Sequence, residues 1–107
     1  MLLLLYDELG KRLKRAELAL QKDDFELFDA SVQRSVDIVQ YLKDTLNFNY
    51  EISFELNRMY DFFLYELSRL SAGRNPEIIK DLHPLVKELH DAFDEASKIA
   101  GREGAGV

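Results

Sequence analysis

Apolar side chains recur every three or four residues along four successive stretches of the chain, which is the spacing of one face of an α-helix. The four stripes consist of Leu2, Leu5, Leu9, Leu13, Ala16 and Leu20; then Phe25, Phe28, Val32, Val36, Val39, Leu42 and Leu46; then Ile52, Leu56, Met59, Tyr60, Phe63, Leu67 and Leu70; and finally Ile78, Ile79, Leu82, Leu85, Val86, Leu89, Phe93, Ala96 and Ile99. The pattern therefore predicts four amphipathic helices.

The residues between the stripes are typical of helix ends. We expect the first helix to end near Gln21, with Asp23 or Asp24 as the N-cap of the second. Asn49 is the expected N-cap of the third helix. Gly73 suits the left-handed residue that often follows a helix, because glycine has no Cβ to clash.

The fourth helix has the strongest start signal, since Asn75 can cap it and Pro76 suits its first turn. Pro84 removes one internal hydrogen bond, so a kink or a short preceding turn is expected there. Gly101 is the expected end of the helix. Short joints require neighbouring helices to run antiparallel, so we predict an all-α, antiparallel up-down four-helix bundle over residues 1–101 and a disordered tail over residues 102–107.

Composition fits a single compact domain of this kind. The 107 residues include 47% apolar and 32% charged side chains. The absence of cysteine excludes disulfides and thiolate metal sites. The net charge of −6 argues against nucleic acid or a membrane as the partner. The apolar start at Met1–Leu5 is short and lacks a basic segment, which argues against a signal peptide and favours the cytosol.

No arrangement of polar residues predicts catalysis. A di-metal carboxylate site in a bundle needs Glu three residues before His, but Lys80 and Lys87 stand there before His83 and His90. The two histidines could bind a metal together, although a pair of surface histidines on one flank is the favoured interpretation. The serines lack the surroundings of a nucleophile elbow. We therefore expect no enzyme, no metal and no cofactor.

A basic run in the first helix comprises Lys11, Arg12, Lys14 and Arg15. These residues flank Leu13 on the polar side of the helix. A solvated surface is the favoured interpretation, and the alternative is a patch that steers an acidic partner.

A second apolar set lies off the core stripes. At 100° per residue, Leu27, Ile38 and Tyr41 fall opposite the stripe of the second helix. In the third helix, Phe54 and Tyr65 fall outside and Phe62 falls on a flank. One interpretation is that the twist of the bundle buries some of them at the seam between the two helices. The other is a groove that binds an amphipathic helix or extended segment of a partner protein.

Leu4-Leu5-Tyr6-Asp7 stands at the start of the first helix. It is similar to the "LLYD" found there in the flagellar secretion chaperone family, FliS. Further similarity runs through Asp37-Ile38-Val39, Leu42, Leu46-Asn47-Phe48, Glu51-Ile52, Leu56, Met59-Tyr60-Asp61 and Leu89-His90-Asp91-Ala92-Phe93. Glu8 replaces a glycine common in the family, and Phe93 replaces a tryptophan.

The resemblance implies a cytosolic export chaperone that binds the C-terminal segment of flagellin, prevents its early polymerisation and delivers it to the flagellar type III export apparatus. Components of that apparatus would be further partners. The alternatives are a bundle that associates with a copy of itself as a homodimer, and an adaptor that binds a different protein through the same groove.

Overall fold

The computed structural model describes the backbone of residues 2–105 and the side chains of residues 2–96 and 98. Its four helices are α1 (Leu2–Gln21), α2 (Phe25–Asp44), α3 (Ile52–Gly73) and α4 (Pro76–Ala105), and the described residues contain no strand. Helix α1 packs against α2 and α4, α2 packs against α3, and the contact between α3 and α4 is the least extensive. The predicted all-helical bundle is confirmed, with α1 and α3 on opposite corners.

The joint between α1 and α2 follows the sequence prediction closely. Helix α1 ends at Gln21, and the side chain of Asp24 accepts a hydrogen bond from the backbone N–H of Leu27 over 3.1 Å. Asp24 is therefore the N-cap of α2. Its neighbour Asp23 adopts a left-handed backbone conformation with φ of 55°, which aspartate tolerates better than most residues.

The predicted N-cap of α3 at Asn49 is wrong, because the helix begins at Ile52. Asn47 organises the turn instead. Its side-chain oxygen accepts a hydrogen bond from the N–H of Asn49 over 3.0 Å, and its carbonyl accepts one from the hydroxyl of Ser53 over 2.6 Å. The first of these closes a local side-chain turn that competes with helix formation, so the chain turns before α3 starts.

The left-handed residue after α3 is Arg74, not the predicted Gly73, which is the last residue of the helix. The N–H of Arg74 donates to the carbonyl of Leu70 over 2.8 Å. Its guanidinium lies 4.2 Å from the centre of the Phe25 ring, a cation–π contact that offsets part of the backbone cost. This contact also ties the end of α3 to the start of α2.

The start of α4 is confirmed, since the side chain of Asn75 accepts a hydrogen bond from the N–H of Glu77 and Pro76 is the first helical residue. The helix continues through Pro84 without a preceding turn. It also passes Gly101, where its end was predicted, and reaches Ala105. The disordered tail over residues 102–107 stays a prediction, and residues 106 and 107 lie outside the described part of the chain.

The core contains most of the predicted stripes and, in addition, Tyr6, Ala19 and Ile38. Tyr6 is buried, and its hydroxyl lies 2.6 Å from that of Tyr60, which links the diagonal helices α1 and α3. Phe25, Ile52 and Ala96 belong to the predicted stripes but are exposed. Phe25 and Ile52 are the first residues of their helices, where fewer neighbouring side chains are available to cover them.

Candidate protein-binding surface

Five of the six residues predicted to bind a partner are exposed. The exposed fractions are 40% for Leu27, 50% for Tyr41, 55% for Phe54, 43% for Phe62 and 62% for Tyr65. Large apolar side chains with this much exposure on one small domain are candidates for contact with another protein.

Ile38 is the exception, because it is only 2% exposed and belongs to the core. The buried face of α2 is centred on Ser35, and Ser31 is buried beside it. The hydroxyl of Ser35 donates to the carbonyl of Ser31 over 2.9 Å, which satisfies its hydrogen-bonding requirement. Centring the helix on apolar residues alone displaced the expected face by about 40°. The outward position predicted for Ile38 was therefore wrong.

The exposed residues of α2 and α3 do not form one groove. The side of α2 that faces α3 carries Lys43, whose ammonium lies 2.6 Å from the carboxylate of Asp61, and Phe25, which contacts Arg74. Tyr41 precedes Lys43 by two positions and Leu27 follows Phe25 by two, so each lies about 160° around the helix from that side. Tyr41 and Leu27 consequently face away from α3.

The exposed aromatic residues of α3 do share one side. Phe54, Phe62 and Tyr65 lie within about 80° of one another on the helix and extend along about 16 Å of its length. Charged side chains lie between them. Arg58 borders a shallow depression with Phe54, and the guanidinium of Arg69 lies 6.0 Å from the centre of the Tyr65 ring.

The loop before α3 extends this row of aromatic side chains. The Phe48 and Phe54 rings have centroids 5.2 Å apart, and Tyr50 and Ile52 are 64% and 52% exposed. Together Phe48, Phe54, Phe62 and Tyr65 form what we term the aromatic surface. Ile52 precedes Phe54 by two positions and therefore lies about 160° from it around α3. Sequence reasoning missed Phe48 because it assigned this residue to the joint before the third helix. A large apolar residue between two asparagines in a polar turn was the available signal.

The described residues contain no group of three or more histidine, aspartate or glutamate side chains arranged to hold a metal ion. His83 and His90 lie on the flank of α4 that faces α1, where the Nε2 atom of His90 is 3.3 Å from the carboxylate of Asp7. None of the helices, over the residues described, combines the length and apolarity needed to cross a bilayer.

A four-helix bundle with an extended exposed aromatic surface is typical of a protein-binding module. The pattern of the family described as "Flagellar protein FliS" matches residues 1–100, so the chain belongs to the FliS family. The predicted family membership is thereby confirmed.

Two relatives illustrate the similarity. The chain is 28% identical over 106 residues to "Flagellar secretion chaperone FliS" of Bacillus subtilis (strain 168), an alignment that covers 97% of this chain and 80% of the relative. It is 21% identical over 87 residues to the protein of the same name from Vibrio cholerae serotype O1 (strain ATCC 39315 / El Tor Inaba N16961), covering 79% of this chain and 64% of that relative. The chain thus spans less than two thirds of the Vibrio protein.

Proposed function

We propose that this protein is a cytosolic export chaperone that binds the C-terminal segment of flagellin, prevents its premature polymerisation and assists its delivery to the flagellar type III export apparatus. The observation that carries the proposal is the family match over residues 1–100. The names of both relatives, which describe flagellar secretion chaperones, support it.

The aromatic surface is the proposed binding site. A segment that is disordered until it assembles has apolar side chains that are exposed to water and prone to self-association. Aromatic side chains bury large apolar areas at little cost in conformational entropy, which makes them suitable anchors for such a segment. The row from Phe54 to Tyr65 gives about 16 Å of helix surface along which a bound segment can lie.

Charged groups beside the aromatic rings would set the direction in which the segment binds. Arg58 lies beside Phe54, Asp61 is held by Lys43, and Arg69 is paired with Glu66 over 3.0 Å. Because Arg58, Asp61 and Arg69 are exposed to solvent, they would favour one direction of the bound chain and contribute little to its affinity.

The proposal is tested by isothermal titration of the full chain with the C-terminal segment of flagellin from the same source. We expect saturable one-to-one binding with a negative heat-capacity change, because apolar surface is buried. The variant Phe54→Glu/Tyr65→Glu should weaken binding by about tenfold or more, since both anchors become charged. The matched control is Leu18→Glu, at a 44% exposed position on α1, where binding should change less than about threefold.

Absence of heat and of co-elution, with a folded protein, would reject flagellin as the partner. A stable dimer that ignores flagellin and is dissociated by Phe54→Glu/Tyr65→Glu would instead support self-association through the aromatic surface. Circular dichroism of each variant distinguishes lost binding from lost fold, because both substituted positions are exposed.

A further inference from the structure

A groove along the seam between α1 and α4 collects basic side chains from both helices. Helix α1 contributes Lys11 and Lys14, and α4 contributes His83, Lys87 and His90. The groove encloses a volume of about 450 Å³. Sequence reasoning recognised the basic run of α1 and the pair His83 and His90 separately. The two sets come together only when the bundle forms and α4 packs beside α1.

The basic run of α1 is divided by the fold. Arg12 points to another side of the helix, where it pairs with Glu8 over 2.6 Å. Lys14 forms an exposed ion pair with Glu17 over 2.9 Å. Among the side chains that the structure describes, neither Lys11 nor Lys87 takes part in a salt bridge. Two ammonium groups in the groove are therefore available to a ligand.

Acidic groups occur mainly at one end of the groove. His90 lies there. Its Nε2 atom is 3.3 Å from the carboxylate of Asp7, and its Nδ1 atom is 3.2 Å from the carboxylate of Asp91. Lys11 also lies near Glu8, whose pKa is lowered first by its hydrogen bond to Arg12 and to a smaller extent by Lys11. Neither Lys11 nor Lys87, however, forms a salt bridge with a carboxylate among the described residues. A positive centre in a chain with a net charge of −6 is a local feature that attracts an anionic ligand against the overall field.

The shape of the groove fits a chain segment better than a small anion. Gly10 and Val86 contribute to its floor. Next to it lies a second depression, which shares Lys14 and His83 with the first and reaches Glu17, Ile79 and Pro84. From Tyr6 to Glu17 the two depressions extend along about 16 Å of α1. The apolar residues in the floor would bury part of such a segment, in addition to the contacts made by the charged side chains.

We propose that the groove between α1 and α4 binds an acidic segment of a second protein, with carboxylates placed at Lys11 and Lys87. Helix α1 lies diagonally opposite α3, which carries most of the aromatic surface. A segment in the groove would therefore leave the aromatic surface free. The proposal is independent of the function proposed above and goes beyond it, because it assigns a second ligand and a second side of the bundle.

The test uses the full chain and a fluorescein-labelled peptide of alternating glutamate and leucine, long enough to span the groove. Fluorescence anisotropy at low ionic strength should show saturable binding that weakens as salt is added. The variant Lys11→Glu/Lys87→Glu should weaken binding by about tenfold or more. The control Lys22→Glu/Arg34→Glu changes the net charge equally at exposed positions outside the groove, and it should weaken binding by less than about threefold.

Equal losses in the two variants would show attraction to overall charge and would overturn the proposal. Unsaturable binding, or equal binding of a peptide of alternating lysine and leucine, would overturn it as well. Binding of phosphatidylglycerol vesicles through Lys11 and Lys87, without peptide binding, would assign the groove to a membrane surface instead. Titration of the same variants with the flagellin segment should give an unchanged affinity, so failure of one proposal leaves the other standing.

Discussion

Replacement of Ile38 by alanine provides the sharpest test of how α2 is oriented in the bundle. The side chain is 2% exposed and belongs to the main core cluster. Truncation of a buried isoleucine to alanine removes apolar contacts and leaves a cavity, at a cost of about 2–5 kcal/mol. Taking about 3 kcal/mol and a shift of about 4–8 °C per kcal/mol for a domain of this size, we expect the Tm to fall by about 12–24 °C.

The matched substitutions are Tyr41→Ala and Ile38→Val. Tyr41 is half-exposed, so its truncation should change the free energy of unfolding by about 0.5 kcal/mol or less. Ile38→Val removes one methyl group and should cost about 0.5–1.5 kcal/mol. Urea unfolding followed by circular dichroism measures all three variants. A cost for Ile38→Ala within about 0.5 kcal/mol of zero would show that Ile38 faces solvent, and would refute the assignment of Ser35 to the centre of the buried face.

Three further predictions concern the hydrogen bonds that fix the fold. Tyr60→Phe should lower the free energy of unfolding by about 1–3 kcal/mol, because it leaves the buried hydroxyl of Tyr6 without its partner. In urea unfolding, the double variant Tyr6→Phe/Tyr60→Phe should lose less free energy of unfolding than the two single variants lose together. Burial raises the pKa of both tyrosines above the ordinary value of 10.0, so their contribution to stability is complete below about pH 10 and falls as the pH rises further. Unfolding measured from neutral to alkaline pH should show a smaller loss in the double phenylalanine variant, and an equal loss would contradict the assignment. Asp24→Ala removes the cap of α2 and should lower the free energy of unfolding by about 1 kcal/mol. Asp23→Ala is not a suitable control, because Asp23 has a left-handed backbone.

The sequence predicted the elements of the fold because helix formation has a local signal. Apolar spacing located all four helices, and Asp24, Asn75 and Pro76 marked their starts through interactions that involve only nearby residues. The resemblance to the FliS family was also available from the order and spacing of short segments. It predicted the family that the later comparison confirmed.

Errors in the joints arose where two local solutions compete. Asn47 forms its own turn before Asn49 can cap a helix, and both asparagines occur within the same short segment. Arg74 adopts the left-handed conformation that Gly73 would accept more easily. Phe25, whose ring contacts Arg74, belongs to α2, so the sequence around Arg74 does not indicate this contact.

The sequence by itself determined the number of helices, their apolar faces, the lack of cysteine chemistry and the family. The tertiary structure decided which residues are covered. Ile38 is buried because the buried face of α2 is centred on the small side chain of Ser35. Ile52 is exposed because it is the first residue of its helix. The groove with Lys11 and Lys87 likewise exists only because α1 and α4 pack side by side. Helix periodicity depends on neighbours along the chain, whereas burial and charge clustering depend on neighbours in space, and a single sequence records only the first directly.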